Sequence, residues 1–164
     1  MQSAAAQCSF LIKQHDGLLV GLEDQHLALE PTPGLKTAGW LVGHMVVTGD
    51  FARSLCGLSP MINKNWRRLF SPDTVPSPDS TIYPPMTELV NTFRSVYQDL
   101  AKNSPNASIE MLSAHNPYEP GRKAFPTTGD FARYLLTGHL GYHLGQLSIW
   151  RSVAAVSDSR LRRS

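Results

Sequence analysis

Apolar residues recur at intervals of three and four along four separate stretches of this 164-residue chain. That spacing puts them on one face of a helix, so it predicts four helices that each bury one stripe. The predicted helices cover residues 3–24, 37–55, 86–102 and 131–150. No stretch shows the alternating pattern of β-branched residues that is typical of strands. The pattern therefore predicts an all-α protein.

Residues that commonly start or stop helices mark the ends of these stretches. Thr37 can cap the second helix, and either Thr128 or Asp130 can cap the fourth. The Pro-Thr-Pro-Gly sequence at 31–34 ends the first segment, because proline cannot continue a helix. Gly57 is a plausible stop for the second helix.

Long connections precede and follow the third predicted helix, at residues 58–85 and 103–127. Both exceed the roughly 12–15 residues that are usual for a structureless loop. In the first, residues 63–70 are predicted to form a short helical turn that docks Trp66 and Phe70. Four helices with inward stripes predict a four-helix bundle, and the connections favour at least one long crossover over simple up-and-down order.

Composition narrows the class of protein. Hydrophobic residues are 41% and charged residues 17%, which is typical of a globular domain. We expect a single bundle domain over residues 1–156 and a flexible basic tail over 157–164. The net charge of +2 argues against a dedicated nucleic-acid-binding protein. No apolar run approaches the roughly 18 residues of a membrane span, so no membrane partner is expected.

Two cysteines, Cys8 and Cys56, are too few for a disulfide framework, and we expect both to be small buried side chains. Residues 1–20 lack the basic start of a signal peptide, and Lys13 interrupts their apolar run. A cytoplasmic location is therefore expected.

The fourth predicted helix carries two histidines, His139 and His143, four residues apart. Residues at that spacing lie on the same helix face, so both imidazoles point toward the predicted core. Neutral imidazole is a good ligand for divalent transition metals. The pair alone is a weak signal, because two helical histidines usually have ordinary polar partners.

A third histidine, His44, lies in the apolar stripe of the second predicted helix and should also face inward. Burying three imidazoles without partners would be costly. One shared metal ion satisfies all three and leaves a position open for water or substrate, which is typical of a catalytic site.

Motifs around these histidines match a known family. They are Trp40-x-x-Gly43-His44, and His139-x-x-Tyr142-His143-x-Gly145-Gln146-Leu147 followed by Trp150-Arg151. Over residues 35–151 the chain resembles the DinB/YfiT-like superfamily of metalloenzymes. The resemblance implies a bundle in up-down-down-up order, frequent homodimers and a divalent metal site. It also implies that His44, His139 and His143 are the metal ligands. The ion could be nickel, zinc or iron.

The resemblance implies a function as well. Members of the family include transferases and isomerases that use low-molecular-weight thiols. We therefore expect a metal-dependent enzyme, either a thiol-dependent transferase or a hydrolase, acting on a small molecule. The alternative is a non-catalytic bundle that binds small molecules or serves in a stress response, and a third possibility is a bundle that holds no metal.

The sequence departs from many relatives in lacking a glutamate shortly after the histidine of the second helix. The first acidic residue there is Asp50, six positions after His44, so no general base can be named. Gln146 and Tyr142 are the best candidates for side chains that support the metal ligands, because Gln146 is one turn from His143. Tyr142 could equally be an aromatic residue at the edge of the core.

The remaining histidines and a set of glycines need separate interpretations. His15 is expected to be a hydrogen-bonded helix residue, although it could line the pocket, while His26 and His115 are expected to be exposed. Three helical glycines form a stripe away from the histidines: Gly138, Gly141 and Gly145. Each costs up to about 1 kcal/mol relative to alanine. The stripe suggests close packing, either against a second subunit in a homodimer or against another helix of the same chain.

Overall fold

Helices make up all the regular secondary structure in the computed structural model, which describes residues 1–154. The helices are α1 (Gln2–His15), α2 (Ala38–Leu55), α3 (Trp66–Phe70), α4 (Met86–Asn103), α5 (Ile109–Ser113), α6 (Thr128–Tyr134) and α7 (Leu140–Val153). Short 3₁₀ turns occur at Asp16–Leu19, Asp24–His26, Ser80–Ile82, Ser104–Asn106 and Glu119–Gly121. The all-α prediction is confirmed. The last two residues of the predicted domain and the predicted basic tail at 157–164 lie outside the described residues.

The first predicted helix is too long. α1 ends at His15, and the chain continues through the 3₁₀ turn Asp16–Leu19. Gly21 has a φ of 74°, in the left-handed region that a helix cannot use. Leu22 nevertheless remains buried, which explains why its apolar spacing resembled a continued helix stripe.

The fourth predicted helix has the expected extent but is not regular. A π-helical turn, Leu135–His139, joins α6 to α7. Such turns are rare in helices, but those that do occur are often at functional sites. The prediction that Thr128 or Asp130 caps α6 is wrong. The capping residue is Thr127, whose hydroxyl accepts a hydrogen bond from the Asp130 backbone N–H at 3.1 Å. Thr127 takes this position because its backbone is extended, as in a helix-capping residue.

Four long helical segments enclose one core, as expected for a four-helix bundle. α4 packs against α1 and α2, and α7 with its π turn packs against the same two helices. Tyr97 of α4 is fully buried, and its hydroxyl donates to the Met45 carbonyl of α2 at 3.0 Å. The up-down-down-up order of the helices stays a prediction.

The long connection before α4 is tied to the bundle. Its predicted helical turn is confirmed as α3, with both Trp66 and Phe70 buried. The buried Asp50 carboxylate of α2 accepts a hydrogen bond from the Met61 backbone N–H at 2.7 Å. Arg53 of α2 donates to the Ser59 carbonyl at 2.8 Å and pairs with Asp99 of α4. These contacts fix the segment that leads into α3 against α2 and α4.

Both cysteines are buried free thiols, as predicted. Burial raises the pKa of Cys8 to about 12 and that of Cys56 to about 11, so neither thiol ionises near neutral pH. Within residues 1–154, no helix combines the length and the apolar character that crossing a bilayer requires.

Candidate metal centre

The structure brings the three predicted histidines together. His44 comes from α2, His139 ends the π turn and His143 belongs to α7. One ring nitrogen from each lies within 4.8 Å of the others. The Nε2 atoms of His44 and His139 are 3.3 Å apart, and the His139 and His143 ring centroids are 4.4 Å apart. Histidines separated by 95 residues along the chain thus face one point.

The ring of His44 is fixed by two neighbours. Its Nδ1 is 2.7 Å from the Phe70 carbonyl oxygen, which can only accept a hydrogen bond. Nδ1 therefore carries the proton, and Nε2 presents a lone pair to the other histidines. Trp40, one turn earlier on α2, stacks on the imidazole with a centroid distance of 4.6 Å and an interplanar angle of 7°. Contacts with Phe70 and Trp40 alone therefore fix the orientation and the tautomer of the His44 ring.

Gly43 makes the contact between α2 and α3 possible. A Cβ atom at this position would lie 2.5 Å from the ring of Phe70, which is completely buried. Any larger residue would push Phe70 away and with it the carbonyl that holds His44. Packing of Phe70 against α2 thus explains why a glycine precedes His44 in the motif of the second helix.

Gln146 holds His143 in the same way. Its Oε1 is 2.7 Å from Nδ1 of His143, which leaves Nε2 of that ring free. The Gln146 amide nitrogen donates to the Tyr142 hydroxyl at 3.1 Å. The predicted supporting contact of Gln146 is thus present. Tyr142 is 63% exposed, so it lies at the surface and not at the edge of the core.

His139 lacks such a partner. Its Nδ1 is buried and makes no hydrogen bond within the described residues, while its Nε2 faces His44. A buried ring nitrogen without a hydrogen-bond partner is costly unless the ring is held by another interaction. Three imidazoles, two of which present an unprotonated Nε2, are a donor set that suits a divalent transition metal. The residues present therefore fit such an ion.

The local electrostatics keep the three imidazoles neutral. Burial lowers the pKa of His139 to about 3, helped by charge repulsion from His143 and His44. Burial and repulsion from His44 lower the pKa of His143 to about 4, although the Gln146 hydrogen bond opposes this. Burial also lowers the pKa of His44. Neutral imidazole is the form that binds a metal, so the cluster is ready at neutral pH.

The three histidines line a cavity of about 540 Å³. Six of its lining residues are aromatic: Trp40, Phe51, Tyr118, Phe131, Tyr134 and Tyr142. The long connections supply Arg67 and Tyr118, which sequence reasoning did not identify. Loop length was the only signal for them. Within the described residues no carboxylate lines the cavity, and Asp50 instead contacts the Met61 backbone and two arginines.

The other histidines are outside this site. Nδ1 of His15 contacts the Leu11 carbonyl at 3.0 Å, as expected for a hydrogen-bonded helix residue. His115 is exposed, as predicted. The prediction for His26 is wrong: it is 8% exposed, accepts from the Glu23 N–H at 2.9 Å and packs edge-on against Trp150. A 3₁₀ turn folds it back onto the bundle.

The glycine stripe is open within residues 1–154. Among these residues a Cβ at Gly141 or Gly145 would meet no atom within 4 Å, and one at Gly138 would meet only the Tyr134 ring at 3.2 Å. The predicted alternative, close packing of Gly141 and Gly145 against another helix of the same chain, is therefore wrong for the helices that the structure describes.

Comparisons with known proteins agree with this fold. The family model of the DinB superfamily matches residues 12–147. A crystal structure of a conserved protein from Enterococcus faecalis is similar, with a TM-score of 0.67 and 15% identity over 95% of this chain and 97% of that one. At that identity the likeness establishes a common fold alone. The sequence has no significant match among curated proteins.

Proposed function

The chain belongs to the DinB superfamily, and from that premise we propose that it is a metal-dependent enzyme whose site holds one divalent ion. His44, His139 and His143 would be its protein ligands. The observation that carries the proposal is the convergence of three neutral imidazoles within 4.8 Å on a cavity large enough for a small substrate. Nickel, zinc and iron all suit an imidazole site.

A bound ion would act as a Lewis acid that lowers the pKa of a thiol or water molecule. The chain contributes the rest. Phe70 and Gln146 orient two of the imidazoles, and six aromatic side chains form much of the cavity wall. Since no carboxylate among the described lining residues can take a proton, the proton of the nucleophile goes to solvent.

This lack of a base favours a thiol over water as the nucleophile. A free thiol has a pKa of about 8.5, against about 15.7 for water, so it needs much less activation. We therefore favour a thiol-dependent transferase over a hydrolase. A low-molecular-weight thiol would form a sulfur–carbon bond to an electrophilic carbon, the leaving group would depart with its electron pair, and the thiol proton would pass to water.

Turnover tests this proposal. Protein loaded with zinc, nickel or iron is mixed with a small thiol and an aryl or alkyl halide, and the thioether product is measured. We expect the wild-type protein to form product well above the rate of His143→Ala, which loses a ligand. Equal rates for the two proteins would reject enzymatic transfer at this site.

A non-catalytic binding protein is the second candidate. The observation in its favour is again the cavity wall, which offers aromatic surface but, among the described residues, no carboxylate, thiol or amine that could act on a substrate. Binding of a small molecule to the metal-loaded protein without turnover of any thiol would support this alternative.

We further propose a homodimer formed through the outer face of α7. No described residue obstructs Gly141 or Gly145 there, and Ile149 and Val153 on the same helix are 56% and 48% exposed. Small residues allow two helices to approach closely, and apolar ones favour burial. Replacing Gly145 with leucine should block that approach without strain inside the subunit.

Sedimentation measures the expected outcome. Gly145→Leu should be a folded monomer with its metal retained, while Ser95→Leu should remain dimeric. Ser95 is a matched control because it is an exposed small residue of a helix, but it belongs to α4, which packs against α1 and α2. A Gly145→Leu protein that still dimerises, or a monomeric wild type, would exclude this interface.

A cytoplasmic location belongs to the same proposal. Cys8 and Cys56 are both unpaired, and free buried thiols are common in reducing compartments.

A further inference from the structure

Arg67 of α3 stands out among the residues that line the histidine cavity. It is the one lysine, arginine or acidic residue among the described lining residues, and its side chain is 49% exposed. Within the described residues its guanidinium group donates no hydrogen bond. All five N–H donors of this group are therefore available to a ligand.

Asp50 attracts Arg67 without using those donors. The nearest carboxylate oxygen of Asp50 is 3.8 Å from the guanidinium, beyond hydrogen-bond distance. Asp50 is completely buried, and the oxygen that faces Arg67 has no hydrogen-bond partner. A buried negative charge nearby favours keeping the arginine at the cavity, yet it leaves the N–H donors in the plane of the guanidinium unoccupied. Arg53, the other arginine near Asp50, already donates to Ser59 and pairs with Asp99.

Another part of the cavity wall is aromatic. The rings of Tyr118 and Phe131 stack 5.2 Å apart at 4°, and Tyr134 stacks on Phe131 at 6.2 Å and 20°. Rings packed on one another in this way form a rigid surface that suits a planar apolar group. A ligand complementary to both features has a flat apolar body and a negatively charged end.

We propose that Arg67 binds the carboxylate of a substrate, and that the cavity selects small carboxylic acids with an aromatic or similarly flat body. The guanidinium fork matches a carboxylate with two parallel hydrogen bonds, which a lysine could not reproduce. The inference rests on the proposed function only in taking this molecule as a substrate of the histidine centre. Its binding does not require that an ion be present.

Matched ligands and matched variants test the proposal by calorimetry. The ligands are 3-phenylpropionate and its neutral amide, which differ in charge but hardly in shape. The variants are Arg67→Gln and Arg68→Gln, neighbours on the same helix turn, of which only Arg67 lines the cavity. We expect the wild type and Arg68→Gln to prefer the carboxylate about tenfold over the amide, and Arg67→Gln to lose that preference. Arg67→Lys should keep only part of it.

Measurements on both zinc-loaded and chelator-treated protein separate this proposal from the metal site. The preference for the carboxylate should persist after chelation, since Arg67 and not the ion provides it. Equal affinities of Arg67→Gln and Arg68→Gln for the carboxylate would overturn the proposal, and so would no binding to the wild type at millimolar concentration. If the wild-type protein binds no zinc but still prefers the carboxylate over the amide, the proposed metal-dependent function is rejected and the role of Arg67 is upheld.

Discussion

Alanine at His44, His139 or His143 is expected to reduce the bound metal from about one equivalent per chain to almost none. Each variant leaves two imidazoles and an open position where three nitrogens had converged within 4.8 Å. Removing a residue that merely orients a ligand already costs about 10–100-fold in metal affinity. Removing a ligand itself should therefore cost more than about 100-fold.

Elemental analysis of untagged protein measures this loss. His115→Ala is the matched control, because His115 is exposed and lies in the connection between α5 and α6. We expect it to retain metal at the wild-type level, and all variants to keep the helical circular dichroism of the wild type. Full metal content in any of the three ligand variants would contradict the assignment, as would an anomalous density peak away from these side chains.

The metal-free protein is expected to lose stability steeply below about pH 6.5, the ordinary pKa of histidine. Folding holds the pKa of His139 at about 3 and that of His143 at about 4, and also lowers that of His44. A lowered pKa means that the unfolded chain binds protons that the folded chain does not. The stabilisation is therefore complete above pH 6.5 and is lost as the pH falls toward 4. Within this window each histidine lowers the free energy of unfolding by up to about 1.4 kcal/mol for each pH unit of acidification.

Urea unfolding from pH 8 to pH 4 checks the sign and the slope. The free energy of unfolding should be nearly constant above pH 7 and fall below it. His139→Ala should show a shallower fall than the wild type, and His115→Ala should show the same fall. Because the folded imidazoles stay neutral, the folded protein should hold its metal well below pH 6.5 and release it nearer pH 4. Equal slopes in all three proteins would mean that the triad does not titrate in this way.

Much of the candidate site could be predicted from the sequence because helix periodicity is local. The four-residue spacing of His139 and His143, and the three residues from His143 to Gln146, place these side chains on one face whatever surrounds them. The apolar stripes around His44 and around the pair then required both faces to point inward. The π turn did not disturb this result, although nothing in the pattern predicted it.

Contacts between distant segments were decided by the tertiary structure alone. The carbonyl that orients His44 belongs to Phe70, 26 residues away, and a backbone oxygen leaves no mark in a sequence. Arg67 reaches the cavity, and its neighbour Arg68 does not, because of how α3 docks on α2. His26 is buried because a 3₁₀ turn brings it against Trp150. Neighbouring residues determine which face of a helix is apolar, but only packing of the whole chain determines what lies against that face.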